Sequence, residues 1–578
     1  MFLVAITKKG LQSRFESFNV RQLQLKSFVA TIVTDNFLSK STIAKEGFSV
    51  IESPLISAPD CQDIILGRAI FEEKNNTLEL FKPAISGRPM YYHINRAGEF
   101  FCSTQIALLR EAGVVIEENV EALPEFFVYR LVMPPRTLYK DIGQLTAGGR
   151  ACIKVRDGGC HLEKISMFEP PAADVKHGSL RNISEQTLRL LTEAIGALSP
   201  SGEKLSILQS GGLDSSILYQ ICRNLYGSEE TYSAGFPFED PKNNLEKEYA
   251  LSAAKALRSR HTYHEFSTKE YLQGLIKGIA AAEEPLHHLQ SVLLYLLFGS
   301  IPQNRNIVIS GEGADSSFGS LMNNRVYRIN STVVRAALGP VKLSGITALM
   351  SQRWQDRITG IFETRLSMDK PLHHPGHMLW SLGRYGSREW VCSHFGVSET
   401  EIIEGRYSTI KLFEDRSIYD QIALISFLGG ASVSKSIWSK LGEARGKIVH
   451  YPYGDDNLLR YVHSVPWDLK VRKPKNILRE VARMIDLPEF IIERPKQSFG
   501  VSSELWAVKG GVLEPIIALC NKVIDKREIQ NMQSSEPGKA MTFWNMLNYS
   551  LWKRLCIDNE PAARLIDELE ENFVVHAG

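Results

Sequence analysis

Up to about residue 165 the apolar positions come in short β-branched or alternating runs closed by Gly, Pro and Asn turns. Phe28-Val29-Ala30-Thr31-Ile32-Val33 and Glu125-Phe126-Phe127-Val128-Tyr129 are examples, and both predict strands. Residues 166–180, with Pro170-Pro171 in a mixed polar stretch, suit a linker. Leu188, Leu191, Ile195 and Leu198 then recur at helical spacing before Ser199-Pro200. From Leu205 the grammar changes. Strands are predicted at Leu205–Gln209, Thr231–Phe236, Thr262–Phe266 and Ile307–Ile309, with helices at Ser215–Leu225 and Glu246–Leu257 between them. Alternation of this kind implies a parallel, doubly wound α/β sheet. Beyond about residue 320 the pattern is mostly helical, ending with Phe543, Leu547 and Leu551 at four-residue spacing.

Composition narrows the class. The 578 residues exceed what one core needs, and 44% hydrophobic with 23% charged residues is ordinary globular usage. Sixty-seven basic against 65 acidic residues give a net charge of +2, which offers no bulk attraction to nucleic acid or to a membrane surface. No apolar run approaches the roughly 18 residues of a spanning helix, and Met1–Ile6 is too short for a secretory signal. Eight cysteines with no CxxC pair point to reduced thiols and a cytoplasmic setting.

Two loops carry the chemistry. Ser210-Gly211-Gly212-Leu213-Asp214-Ser215-Ser216 follows a predicted strand and opens a helix. The glycines let backbone approach an anion, and the Ser215 and Ser216 amides and hydroxyls stand at a helix N-terminus that favours phosphate. A carboxylate at Asp214 suits such a site when a cation sits between it and the phosphates, and Mg²⁺ is the natural choice. The Walker lysine is absent. Ser310-Gly311-Glu312-Gly313-Ala314-Asp315 lies just past another strand, and ligands of open α/β sheets bind at the carboxyl ends of strands. Asp315 is therefore read as the second Mg²⁺ ligand, and Glu312 as a group that orients or deprotonates an attacking amine.

These loops resemble those of the asparagine synthetase family. Arg494-Pro495-Lys496-Gln497-Ser498-Phe499-Gly500 resembles the family's late lysine loop, and Lys475 with Leu478-Arg479 the stretch before it. Arg136-Thr137-Leu138-Tyr139-Lys140 with Gly148, and Gly87-Arg88-Pro89-Met90-Tyr91-Tyr92, are similar to parts of its N-terminal domain. The resemblance implies an N-terminal-nucleophile-like αββα domain over 1–165. It implies an ATP-pyrophosphatase synthetase domain over 181–578, with a doubly wound parallel sheet and a helical extension. The implied reaction adenylates a carboxylate with ATP and Mg²⁺, releases pyrophosphate, and passes the acyl group to ammonia or an amine. Ser210, Gly211, Gly212, Asp214, Ser215, Ser216 and Gly311 would bind the nucleotide, and Lys496 would stabilise developing charge. The glutamate at Glu312 is what true asparagine synthetases carry, where β-lactam-forming relatives carry tyrosine.

The chain also departs from the family. Position 2 is Phe2 where glutamine-dependent members carry a nucleophilic Cys, and the first cysteine is Cys61, so no glutaminase activity is expected. The segment that in the family holds Glu and Arg reads Ile448-Val449-His450, and Ser316-Ser317 follow Asp315. An ordinary aspartate pocket is therefore not expected, and a specialised biosynthetic ligase is. Its partners are a small-molecule or peptide carboxylate and an amine or ammonia donor, with a homodimer or a partner protein of the same pathway left open. The rivals are an intramolecular cyclase that closes a β-lactam or macrolactam, and a nucleotide-binding scaffold without turnover. Glu283-Glu284-Pro285 resembles the family's acidic-Pro segment and would help shape the acceptor pocket. His287-His288 lacks a third metal ligand, and His373-His374-Pro375 reads as an exposed loop.

Overall fold

The computed structural model describes residues 1–11, 15, 17–25, 27–35, 39–44, 47–52, 66–171, 178–198, 204–227, 229–237, 240–330, 361, 364–365, 368–382, 385–495 and 502–577. The N-terminal strands are β1 Phe2–Thr7, β2 Asn19–Gln24, β3 Val29–Thr34, β4 Ser39–Ala44, β5 Gly47–Glu52 and β6 Gly67–Glu72. They continue with β7 Thr77–Phe81, β8 Tyr91–Ile94, β9 Phe100–Ser103, β10 Gly143–Gln144, β11 Arg150–Arg156 and β12 Gly159–Ser166. They form two antiparallel sheets, ordered β10-β8-β9-β1-β3-β2 and β12-β11-β7-β6-β5-β4. Alternation sorts the side chains. Phe2, Val4 and Ile6 of β1 enter a core between the sheets with Val50, Leu78 and Ile153, while Leu3 and Ala5 face the helices outside.

The run Glu125–Tyr129 is not a strand. Leu123–Tyr129 is a helix with Pro124 in its first turn and Arg130 as a left-handed cap. All seven of its residues are buried, so no polar face marks a helical period, and the sequence pattern misreads it.

The C-terminal region holds a parallel sheet of β13 Leu205–Leu208, β14 Glu230–Gly235, β15 Arg260–Glu265, β16 Ile307–Ile309 and β17 Ile448–His450, in the order β15-β14-β13-β16-β17. Helices Leu180–Gly196, Leu213–Tyr226 and Asn476–Met484 cover one face, where Leu205, Ile207, Ile307 and Ile309 point. Helices Thr268–Ala282 and Gln290–Ser300 cover the other, against Tyr232, Ala234 and Val308. The fold is thus the α/β combination expected, with a doubly wound second sheet. The helix read from Glu246 begins earlier, at Pro241, because Asp240 caps it by accepting from Lys242 and Asn243 N–H.

Chain order reverses between β13 and β16. β13 runs on through a helix to β14 on one side, while β16 lies on its other side, in register from Leu205↔Ile307 to Ile207↔Ile309. This topological switch point is where open α/β sheets form their ligand crevice. Ile418–Glu443 is the one helix among the described residues long and apolar enough to cross a membrane, and 89% of its apolar window is buried inside the molecule. Its middle, Ser426–Ala431, is π-helical. The helix Pro537–Trp552 buries Phe543, Leu547 and Leu551, in the same apolar cluster as Leu3 and Phe127 of the N-terminal region.

Candidate active site

Both glycine loops leave the sheet at the switch point, side by side. Gly211 has φ +68°, and a Cβ there would lie 2.2 Å from the Tyr249 carbonyl oxygen, so only glycine fits. Gly212 then caps the helix Leu213–Tyr226. Ser215 Oγ stands 3.3 Å from the Ser210 amide and 3.2 Å from Ser210 Oγ, which tightens the turn. Ser216 is turned inward and accepts from Gln209 Nε2 at 3.1 Å, away from the crevice. In the second loop a Cβ on Gly311 would lie 3.3 Å from Asp214 Cβ, so the loops touch. Gly313, at φ +100°, turns the chain into Ala314–Phe318 and places Asp315 in its first turn.

Asp214 and Asp315 converge on one cation. Lys475 Nζ is 2.5 Å from Asp214 Oδ2 and 2.8 Å from Asp315 Oδ1. Lys475 itself has left-handed backbone at the start of Asn476–Met484, and its side chain is buried. The sequence singles out Lys475 only through its resemblance to the stretch before the lysine loop. Its position between the carboxylates is a long-range fact that local pattern does not carry. Asp214 Oδ1 is buried with no hydrogen-bond partner among the described residues. An orphaned carboxylate oxygen beside a second carboxylate fits Mg²⁺, whose coordination phosphate oxygens would complete. Among the described residues no group of three or more His, Cys, Asp or Glu is placed to hold a metal ion.

Two cavities meet at these groups. The first is lined by Ser210, Gly212, Asp214, Asp315, Lys475 and Arg494 among others. Arg494 donates to Ser210 O and to Glu246 Oε1, each at 2.9 Å, and stacks on Tyr249. With Lys475 and Arg479 it gives this cavity a basic wall suited to phosphates. The second shares Ser210, Asp214 and Asp315 but is walled by Leu208, Ala234, Leu294, Leu297 and Trp438, an apolar slot suited to a flat base. Gly311 and Glu312 line this slot.

Glu312 faces a buried cation. Burial pushes Lys435 down to about 8, while Glu312 and Asp456 pull it back up. Lys435 Nζ also donates to Ala84 O of the N-terminal region at 2.7 Å. Lys496, with Gln497–Gly500, lies outside the described residues, as do Cys61 and Ser199–Pro200. Arg494 and Pro495, at the cavity wall, lead directly into the lysine loop.

Other expectations resolve differently. Glu283 accepts from the Ile106 and Ala107 amides and from Lys440, and Glu284 accepts from Tyr91 Oη at 2.6 Å. Both thus bind the N-terminal domain and line neither crevice. The His287 and His288 rings lie 3.9 Å apart, and burial, with help from Arg130, holds both well below the usual histidine range. His373 and His374 are exposed. His450 ends β17 with its Nε2 buried and unpartnered, and burial pushes it down to about 3.

The comparisons agree with this geometry. Residues 186–552 match the family described as asparagine synthase, and residues 65–164 match the glutamine amidotransferase domain. Asparagine synthetase [glutamine-hydrolyzing] 1 of Bacillus subtilis (strain 168) is 23% identical over 500 residues, covering 82% of this chain and 74% of that protein. Asparagine synthetase [glutamine-hydrolyzing] 3 of the same organism is 21% identical over 516 residues, covering 84% and 76%.

Proposed function

The chain belongs to the asparagine synthase family, and from that premise we propose that it is an ATP-dependent carbon–nitrogen ligase acting through an acyl-adenylate. The observation that carries this is the convergence of Asp214, Asp315 and Lys475 where the basic and apolar cavities meet. The base occupies the slot beside Leu208 and Ala234, and the phosphates lie along Lys475, Arg479 and Arg494. Asp214 and Asp315 would hold Mg²⁺, which would supply charge neutralisation of the triphosphate. The substrate carboxylate attacks the α-phosphorus and pyrophosphate leaves into the basic cavity. Lys496 offsets the negative charge that grows in that step. Glu312 then takes a proton from the amine that displaces AMP, with Lys435 behind it setting the local field.

The N-terminal domain, in this reading, hydrolyses no glutamine. Phe2 is wholly buried, its side chain filling the core between the two sheets. The described cysteines are no better placed: burial pushes the Cys160, Cys520 and Cys556 thiols up to about 12, away from the reactive thiolate. Nitrogen then arrives as ammonia or as a substrate amine, which suits a specialised biosynthetic pathway. The test is acid-dependent exchange of pyrophosphate into ATP, followed by mass analysis of the product. Exchange with AMP release supports the ligase, and a product one water lighter than a single substrate identifies a cyclase. Nucleotide binding without exchange, across a panel of acids, overturns the proposal in favour of a scaffold.

A further inference from the structure

A third cavity, of about 360 Å³, shares Asp315 and Leu321 with the phosphate crevice and extends past Arg130, His288, Tyr385 and Arg406. Ser426 and Gly430 of the π-helical stretch line it, and π-helical turns recur at functional sites. Two of its walls are cations that the protein leaves short of counter-charge. Arg130 is 7% exposed, with its guanidinium carbon 3.4 Å from the Tyr385 ring centroid and its Nη1 3.2 Å from His288 Nδ1. Its Nε has no hydrogen-bond partner, and among the described residues no carboxylate bears on its charge. Arg406, 5% exposed, stacks on Tyr129; its Nε lies 3.5 Å from Glu125 Oε1, and among the described residues its Nη1 has no hydrogen-bond partner. That carboxylate is shared with Arg136, which donates to it as well. The histidines facing Arg130 are held neutral by burial and bring no further charge.

A buried cation without a carboxylate is costly, and guanidinium groups pair best with planar or tetrahedral oxyanions. The remaining wall is apolar, with Met322, Ile422 and Ile425. We propose that this cavity holds the acid substrate, and that the substrate is an elongated, largely apolar acid with a second anionic group. That second anion binds Arg130 and Arg406, and the reacting carboxylate faces the nucleotide beside Asp315. That the occupant is the acid substrate, and the orientation of its near end, rest on the ligase reading; the anion site stands on the arginines. A cavity of this size takes a molecule larger than a free amino acid.

The test uses the full chain and isothermal calorimetry with sebacate, 9-phosphononanoate and decanoate. A doubly anionic probe should bind at least tenfold more tightly than decanoate, and the preference should vanish in both Arg130→Met and Arg406→Met. The two anionic probes tell whether carboxylate or phosphorus oxyanion is preferred. Ligand-free Arg130→Met should unfold a few degrees higher than wild type, since a cation kept for a ligand is a burden without it. Failure of both doubly anionic probes to outbind decanoate overturns the proposal, and so does a lowered Tm in Arg130→Met with probe binding unchanged. A separate titration with a non-hydrolysable Mg²⁺–ATP analogue reads the nucleotide site, so failure of the ligase reading is distinguishable from failure of the anion pocket.

Discussion

The Lys475 ammonium lies 2.5 Å from Asp214 Oδ2, although the two residues are 261 positions apart in the chain. With Asp315 on its other side, this lysine holds together two carboxylates that would otherwise repel. Removing it leaves like charges facing each other, the Asp214 side chain 20% exposed and that of Asp315 44% exposed. Lys475→Met should lose about 1–2 kcal/mol of stability, the buried-pair cost reduced by the solvent that reaches Asp315. Added Mg²⁺ should recover a larger part of the Tm in this variant than in wild type. Equal Mg²⁺ responses would show that the carboxylates do not share a cation site.

Asp214→Asn removes charge and keeps shape. Acid-dependent ATP–pyrophosphate exchange should fall by about 10²–10³ at least, because an amide neither draws Mg²⁺ nor balances Lys475. Exchange at the wild-type rate would remove Asp214 from the machinery.

Lys82 offers a pH test. Its Nζ is buried with no hydrogen-bond partner. Burial, joined by Lys435 and Lys440 and opposed by Glu284, pushes it from 10.5 to about 7. Between those values the unfolded chain holds a proton that the folded chain does not, so stability rises with pH across that window and the full penalty applies below it. Lys82→Met should therefore be more stable at pH 7 by on the order of 3 kcal/mol, with a flatter pH dependence up to 10. Parallel pH–stability curves for the two proteins would show that Lys82 is compensated.

Phe2→Ala should cost about 3–5 kcal/mol by opening a void between the sheets. Neither wild type nor variant should release glutamate from glutamine. A coupled glutamate assay on both proteins, beside a denaturant melt, checks the two halves together. Glutamate release matched to AMP formation would refute the reading of this domain.

Lys496→Ala should leave the affinity for a Mg²⁺–ATP analogue nearly unchanged and lower turnover by about 10²–10³, as expected of a charge that acts mainly in the transition state. Lys496→Arg should recover only part of the rate, because a planar guanidinium is not a point charge. Wild-type turnover in Lys496→Ala would place this lysine in solvent.

β16 was legible because a strand covered on both faces reads as a plain apolar run, as at Ile307–Ile309. The loops after β13 and β16 were legible because serine, glycine and aspartate in that order just past a strand have few other uses. The helix Leu123–Tyr129 was not, since burial on every side erased its period. β17, Ile448–His450, was not read as a strand; it is set by long-range pairing with β16, from Ile307↔Ile448 to Ile309↔His450. What escaped the sequence altogether were charges meeting across the fold, such as Lys475 with Asp214 and Arg130 with its cavity. Such meetings depend on how distant segments pack, not on any local pattern.

The shared core sets a rule for anyone wishing to re-engineer this protein. Leu3 and Ala5 of the first strand, Phe127, Leu275 and Leu547 belong to one uninterrupted apolar cluster. Asn545 donates to Phe127 O at 2.9 Å, and Trp552 Nε1 to Tyr139 Oη at 3.0 Å. Along these contacts the seam between the halves is interior, while elsewhere a cavity of about 450 Å³ opens between Phe81, Pro83 and Ile85 on one side and Glu193, Asp455 and Asp456 on the other. A chimaera that takes its first 165 residues from a glutamine-using relative inherits none of these contacts, and a graft intended to supply nitrogen has to bring the facing helices with it.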